Sequence, residues 1–416
     1  MELKSRKSFS DYLQEGQTSP WSSLSPLHLS PSPPSTPTIL YHCLASLRRL
    51  GGNVNSIAVS RGLVFTASAD SGRVRIWSTP GFVDRGHVRT GGGQVTTIFV
   101  HGSTLITAHN DHRVRVWTIS AASGRVYSKK AATIPPNNHS LLSFLRKKCP
   151  SQHGDTITTI AYYHAENLLY TGSFDRAVKA WDLSKATCVD SFVAHDETVS
   201  AMLVNPDDGC LFTASSDGSI KVWRRAHAED GLTVHALISV LRYHASPVNA
   251  LALTRSPNSC FLYSGSSNGN VNVYEKGAAT GGFKVTGVLR GHRLAVRCVA
   301  AEGKGKVVVS GSEDATIRVW RREEEEGVHT CLAVMEGHRG AVSCMAVSVE
   351  AEEEGVGLLV YSGSLDGMVK VWRLKVMVEE EEEEEDEDED EEGEVAFEMS
   401  PVLSPLWMEK RRRSVS

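Results

Sequence analysis

Apolar and polar residues alternate with a period of two in short runs through the middle of the chain, as in Thr316-Ile317-Arg318-Val319-Trp320 and Ser219-Ile220-Lys221-Val222-Trp223. Such alternation turns one side of an extended strand toward a core and the other toward polar surroundings. Asp-Gly and Asn-Gly pairs separate many of the runs, and their tolerance of positive φ suits tight hairpin turns. No long segment of helical period interrupts them. The pattern predicts an all-β protein.

The runs also repeat. Aligned on a closing aromatic residue, seven copies end at Trp77, Trp117, Trp181, Trp223, Tyr274, Trp320 and Trp372, at steps of 40, 64, 42, 51, 46 and 52 residues. Six copies place an acid or amide six residues before the aromatic: Asp111, Asp175, Asp217, Asn268, Asp314 and Asp366. The first copy has one extra residue, so Asp70 stands seven before Trp77. Four residues before each of these comes a hydroxyl: Thr66, Thr107, Thr171, Thr213, Ser264, Ser310 or Ser362. Five copies carry His153, His195, His244, His292 or His338 four residues before a β-branched residue that opens the first strand. Copies one and two have Leu50 and Gly91 there, and copy five has drifted to Asn268 and Tyr274. These copies are expected to be held less tightly.

A repeat of this length dictates architecture, because one unit cannot bury both of its faces alone. In spacing and residue types the chain resembles the WD-repeat family, over about residues 38–376. The resemblance implies a seven-bladed β-propeller. It also implies that the His, hydroxyl, Asp and Trp of one blade form a buried hydrogen-bonded tetrad. The complete sets are His153, Thr171, Asp175 and Trp181; His195, Thr213, Asp217 and Trp223; His292, Ser310, Asp314 and Trp320; and His338, Ser362, Asp366 and Trp372. Within the family the chain is similar to the plant Jingubang-like proteins in its "CLASL" lead strand, its insertion between copies two and three, and its "GHRLAVRCVA" repeat. That implies a plant regulatory scaffold that engages other proteins, transcription regulators among them.

"HCLASL" at 42–47 matches the fourth strands "TCVDSF" and "TCLAVM", yet it precedes the first copy, and no fourth strand follows Trp372. The N-terminal strand is therefore expected to complete the seventh blade and remove its open edge. Three regions result: a Ser/Pro-rich tail at 1–37, the propeller at 38–376 with an insertion at 135–152, and an acidic then basic tail at 377–416. The composition of the two tails predicts disorder. Seven Ser-Pro and Thr-Pro pairs in the tails suit proline-directed kinases, but such pairs also occur in any linker of this kind. In the insertion, Leu141, Leu142, Phe144 and Leu145 beside Arg146, Lys147 and Lys148 suit either a docking turn or packing on a neighbouring blade.

Net charge is −5, but residues 379–392 are fourteen consecutive acids, and without them the chain is at +9. A basic body is compatible with a polyanionic partner, yet no aromatic-basic interleaving accompanies it, which argues against nucleic acid. Apolar runs are too short for a membrane span and no apolar segment follows the first basic residues, so the cytoplasm, the nucleus or both are expected. The eight cysteines form no C-x-x-C pair. Cys298 and Cys344 share one small position of the first strand, Cys188 and Cys331 lie on fourth strands, and core packing explains all four better than redox or zinc chemistry.

No P-loop, H-E-x-x-H or G-x-S-x-G motif appears, and five of the sixteen histidines are absorbed by the repeat. A non-catalytic module without cofactor or metal is expected, monomeric as a propeller and working within larger complexes. The resemblance places protein or peptide contacts at the residue before each tetrad acid and at the residue after each strand opening. The first set includes Asn110, Phe174, Ser216, Ser267, Glu313 and Leu365, and the second Asn55, Thr96, Thr158, Ser200, Asn249, Arg297 and Ser343. Phe174 and Leu365 are apolar where solvent is expected, and Arg297 is a cation among neutral counterparts, so Phe174 and Arg297 are the foremost anchors. Two rivals fare worse. Residues 1–37 cannot supply the coiled coil of a G-protein β subunit. The Trp-Asp-x-Arg box of cullin-ligase substrate receptors fails at Trp181-Asp182, where Ser184 replaces the arginine.

Overall fold

The computed structural model describes residues 39–48, 52–69, 72–122, 125–136, 152–227, 233–256, 259–277, 281–302, 305–323, 328–352 and 355–376. Leu50, Asp70, both tails and nearly all of the 135–152 insertion lie outside these residues. Among the described residues, antiparallel strands form seven sheets of four. Each sheet is a blade, numbered 1 to 7 from the N-terminal repeat, with strands a to d in hydrogen-bonding order. Strand a of each blade touches strand a of the next, and blade 7 returns to blade 1. The a strands thus ring a central axis. This is a seven-bladed β-propeller.

The ring closes as the lead strand requires. Strand d of blade 7 is Ile39–Arg48, paired with Met368–Val376 from Ile39↔Val376 to Arg48↔Met368. Ile39 and Leu47 are buried in the clusters of the two blade-7 interfaces. The first described strand therefore staples the last, and no open edge remains on that blade's strand c.

Blades pack through small residues at the end of strand b. A Cβ on Gly172, Gly265, Gly311 or Gly363 would lie 2.6–2.7 Å from the opening valine of the next blade, which is Val199, Val296, Val342 or Val54 respectively. Blades 1, 2 and 4 have Ala67, Ala108 and Ala214 at that position, all fully buried. The Thr/Ser-Gly/Ala-Ser signature is thus a steric slot between neighbouring blades.

Every strand a also carries a bulge at its second residue. The register against strand b shifts between Val54 and Ser56, Val95 and Thr97, Ile157 and Thr159, Val199 and Ala201, Val248 and Ala250, Val296 and Cys298, and Val342 and Cys344. A bulge re-aims the side chain of the extra residue. Here it controls which residues can meet a partner.

Candidate interaction face

Four tetrads form as the repeat implies. In blade 3, Trp181 Nε1 donates to Thr171 Oγ1 (2.9 Å), Thr171 Oγ1 to His153 Nε2 (2.8 Å), and His153 Nδ1 to Asp175 Oδ2 (2.8 Å). The ionised acid fixes the ring tautomer: Nδ1 must donate, which leaves Nε2 to accept. Blades 4, 6 and 7 repeat the chain with His195–Asp217 at 3.0 Å, His292–Asp314 at 3.1 Å and His338–Asp366 at 3.0 Å. Each acid also caps its turn. Asp314 accepts from the Arg293 and Thr316 amides at 2.9 and 3.0 Å and from Thr316 Oγ1 at 2.6 Å.

These groups titrate as structural ones. Burial works against ionisation of Asp175 and Asp314, but hydrogen bonds to each carboxylate outweigh it and hold both down to about 2. Burial also lowers His195, His292 and His338, opposed by their own aspartates. In blades 4, 6 and 7 that direction favours the neutral imidazole as a link in the hydrogen-bonded chain.

The three irregular blades differ among themselves. In blade 5, His244 Nε2 reaches Ser264 Oγ at 2.7 Å, but Nδ1 is buried without a partner and Asn268 serves only the Asn270 amide. Burial takes His244 down to about 4. In blade 1, Trp77 reaches Thr66 at 3.3 Å. Blade 2, expected to be loose for want of its loop histidine, has rebuilt part of the site from within, with His109 Nδ1 buried and without a partner among the described residues. His109 on strand b, fully buried, lies 2.8 Å from Thr107 Oγ1, which accepts from Trp117 at 3.1 Å. Arg115 forms a two-toothed ion pair with Asp111. Burial and the Arg115 charge lower His109 to about 4. The signal was in the sequence: position 109 is serine in every other blade (Ser68, Ser173, Ser215, Ser266, Ser312, Ser364).

The tetrads hold two sets of loops at one face of the ring. In each blade the amide just before the tetrad acid, or its counterpart in blade 1, donates to the carbonyl just before strand a. Phe174→Thr156 (3.1 Å), Glu313→Ala295 (2.9 Å), Leu365→Ala341 (3.0 Å) and Asn110→Gln94 (3.1 Å) are examples. This turn face exposes Phe174 (52%), Leu365 (45%) and Leu294 (52%), with Tyr243 (57%) just before blade 5's loop histidine. Leu294 was missed by sequence reasoning. Two residues after the loop histidine it stands where other blades have Asp155, Glu197, Ser246 and Gly340, and that contrast was the available signal.

The residues after the strand openings behave otherwise. Asn55 Nδ2 donates to Val95 O (3.3 Å), Asn249 Nδ2 to Val296 O (2.9 Å), and the Thr158, Ser200 and Ser343 hydroxyls to the Val199, Val248 and Val54 carbonyls. All five bond the opening residue of the next blade. The bulge turns them sideways into the ring, so Asn55 and Asn249, both half-buried, serve as inter-blade ties. Thr96 Oγ1 is buried with no partner. Arg297 is exposed, but it is no lone cation, since it pairs with Glu313 at 2.7 Å. Asn110 is exposed, with Oδ1 taken by the Gln94 amide at 2.9 Å.

The cysteine expectations hold in part. Cys298 and Cys344 are buried between blades, and burial pushes the Cys344 thiol up to about 12. Cys331 is exposed, so core packing does not explain it, and Cys188, though it packs against the core between blades 2 and 3, is disulfide-bonded rather than a free core thiol. Strand d is the outermost strand, and its pleat turns alternate residues to solvent.

The comparisons agree with this geometry. The model of the family described as WD domain, G-beta repeat matches residues 145–182, 186–224, 236–275, 283–321 and 329–373. The chain is a β-propeller built of WD40 repeats, and such repeats indicate a protein-interaction scaffold of a typically non-catalytic kind. It is similar to pre-mRNA-processing factor 19 of Bos taurus, Mus musculus and Rattus norvegicus, 30% identical in each case over 165 residues. That stretch is 38% of this chain and 28% of each relative, so the likeness covers repeats and not whole proteins.

Proposed function

We propose that the chain is a non-catalytic scaffold that docks a protein or peptide on the turn face, with Phe174, Leu294 and Leu365 as apolar anchors. One observation carries this reading. These three large apolar side chains are about half exposed on loops that backbone bonds and tetrads hold rigid, and no tetrad uses them. Preformed apolar anchors cost little ordering on binding. The Arg297–Glu313 pair beside Leu294 adds a polar rim that contributes orientation more than affinity.

The resemblance to plant Jingubang-like proteins supports a regulatory role in the cytoplasm or nucleus with transcription regulators among the partners. The repeat-level likeness to pre-mRNA-processing factor 19 supports the scaffold reading and adds no process of its own. A photo-crosslinking residue placed at 174 or 294 tests the reading against one placed at 237 on the outer edge of blade 4. Adducts with cellular proteins from 174 and 294 and none from 237 are the expected result. Adducts from 237 alone would overturn it.

A further inference from the structure

The outer edge of blade 4 departs from those of the other blades. Its strand d is Thr233–Leu241 (TVHALISVL), and among the described residues no strand pairs with the outer side. Such an edge is a template for another chain, and proteins guard it with charge, cover or burial. The other blades do so. Asp84 and Arg85 stand on strand d of blade 1, Lys129 and Lys130 on that of blade 2, Lys284 on that of blade 5 and Arg48 on that of blade 7. Strand d of blade 3 is half-buried between its two ends, and in blade 6 the Val334 carbonyl accepts from Tyr41 Oη of blade 7 at 3.3 Å.

Strand d of blade 4 contains no Asp, Glu, Lys or Arg. Its histidine is turned inward to blade 3: His235 Nδ1 donates to Asp190 Oδ2 at 2.7 Å, and Nε2 accepts from Tyr170 Oη at 3.1 Å. Val234, Leu237, Ile238 and Val240 are each 38–49% exposed, an apolar patch along one strand. A bulge explains its middle. The register against strand c shifts between Val222 and Trp223, which face Ser239 and Leu237, so Ile238 is the extra residue. The extra residue of the same bulge is Val189 in blade 3, Leu332 in blade 6 and Leu44 in blade 7, and each of these packs against a core cluster. Ile238 instead joins Leu237 on the outside.

Charge selects the occupant. An uncharged strand laid against its own copy sets no like charges opposite each other, as the basic strand d of blade 2 would. In the sequence, Glu229 and Asp230 precede the strand and Arg242 follows it. An antiparallel pair brings the acidic end of each copy to the basic end of the other, whereas a parallel pair sets like against like. The antiparallel pair is also two-fold symmetric, so it closes at two copies. We propose that the chain forms a homodimer through the strand d edges of blade 4, antiparallel, with Leu237 and Ile238 of both copies at the two-fold axis. Asp190 already accepts from the His235 amide at 2.8 Å, so side-chain packing is the main contact and not a continuous backbone ladder. Nine residues make an edge about 30 Å long and one strand wide. That falls short of the roughly 800 Å² per partner of a standard interface, so association at micromolar concentration is expected. The dimer takes the place of the monomer expected from the sequence. It leaves the turn face open, and the neighbour of residue 237 is then another copy of this chain.

The test is sedimentation velocity of the full chain from about 1 to about 100 μM, a range that brackets a micromolar dissociation constant. The weight-average mass is expected to rise from that of one chain toward that of two. Leu237→Lys/Ile238→Lys, with a melting curve matched to the wild type at the lowest concentration, should weaken the dimer at least about thirtyfold, while Tyr127→Lys on the edge of blade 2 should leave it unchanged. Arg242→Glu should weaken it about tenfold, and Glu229→Lys/Asp230→Lys added to the same chain should restore it. The mass of one chain at every concentration, or a dimer that survives Leu237→Lys/Ile238→Lys, overturns the proposal. A monomer whose residue 237 crosslinks to a different cellular protein gives the edge to that protein and overturns the homodimer. Capture of partners through Phe174 and Leu365 does not depend on the pair, so failure here leaves the turn-face reading standing.

Discussion

Replacing Asp314 by alanine isolates what a complete tetrad contributes. The carboxylate accepts from His292 Nδ1 (3.1 Å), the Arg293 amide (2.9 Å), the Thr316 amide (3.0 Å) and the Thr316 hydroxyl (2.6 Å). Arg293 is exposed and Thr316 half-buried, so water can satisfy part of that set, whereas the His292 ring is buried and cannot be reached as easily. Thr316 Oγ1, 3.2 Å from the same Nδ1, can take over part of that bond, so the loss amounts to about one unsatisfied buried donor, roughly 1–3 kcal/mol of destabilisation. Asn268→Ala in blade 5 removes a single bond from the Asn270 amide at 3.0 Å, at the turn surface, and should cost about 0.5–1 kcal/mol. Urea denaturation of both variants beside the wild type gives the order, with an unchanged dependence on denaturant showing that the same structure is being lost. Asn268→Ala costing as much as Asp314→Ala would refute the tetrad reasoning.

Other consequences follow from the same geometry. Deleting residues 39–48 should leave blade 7 with an open edge and cause aggregation or a large drop in melting temperature, whereas deleting 1–37 should change little; equal melting curves would contradict closure. Gly363→Val should destabilise by about 1–3 kcal/mol or more in the same urea assay, because even its Cβ would lie 2.7 Å from both Cys344 Sγ and Val54 Cγ1, while Ala67→Gly at the matching position of blade 1 should cost far less. His109 and His244 fall to about 4 in the fold from 6.5, so the unfolded chain takes up these protons first. Their contribution is complete above pH 6.5 and is lost as pH falls toward 4. Urea midpoints at pH 7 and pH 5 should therefore differ less for His244→Gln than for the wild type, and an identical difference would contradict the assignment.

The architecture was legible because it rests on repetition. Seven spaced aromatics and a displaced fourth strand near Cys43 determine blade number and closure whatever any one blade has lost. Three features were not legible for the same reason, since alignment treats equivalent positions as having equivalent roles. The residues after the strand openings align with contact positions, yet a bulge turns Asn55 and Asn249 into the neighbouring blade. Arg297 aligns with them, but its long side chain leaves the ring for Glu313. His109 looked like one more scattered histidine, although it restores the link to Thr107 that Gly91 removed, with its Nδ1 buried and without a partner among the described residues. Phe174 and Leu365 were legible because an apolar residue at a solvated turn violates the pattern around it.

The central claim is that partners dock on the turn face. The most direct measurement is quantitative capture of cellular proteins by the wild type, by Phe174→Asp/Leu365→Asp on that face, and by Tyr127→Asp/Leu237→Asp on the outer edges of blades 2 and 4, all three with matched melting curves. All four residues are exposed, so folding should survive in both variants. The account predicts that the turn-face variant loses about thirtyfold or more in affinity for the proteins that wild type retains, about 2 kcal/mol, while the outer-edge variant keeps them. An unchanged set on the turn-face variant, with losses confined to the outer-edge one, would contradict it.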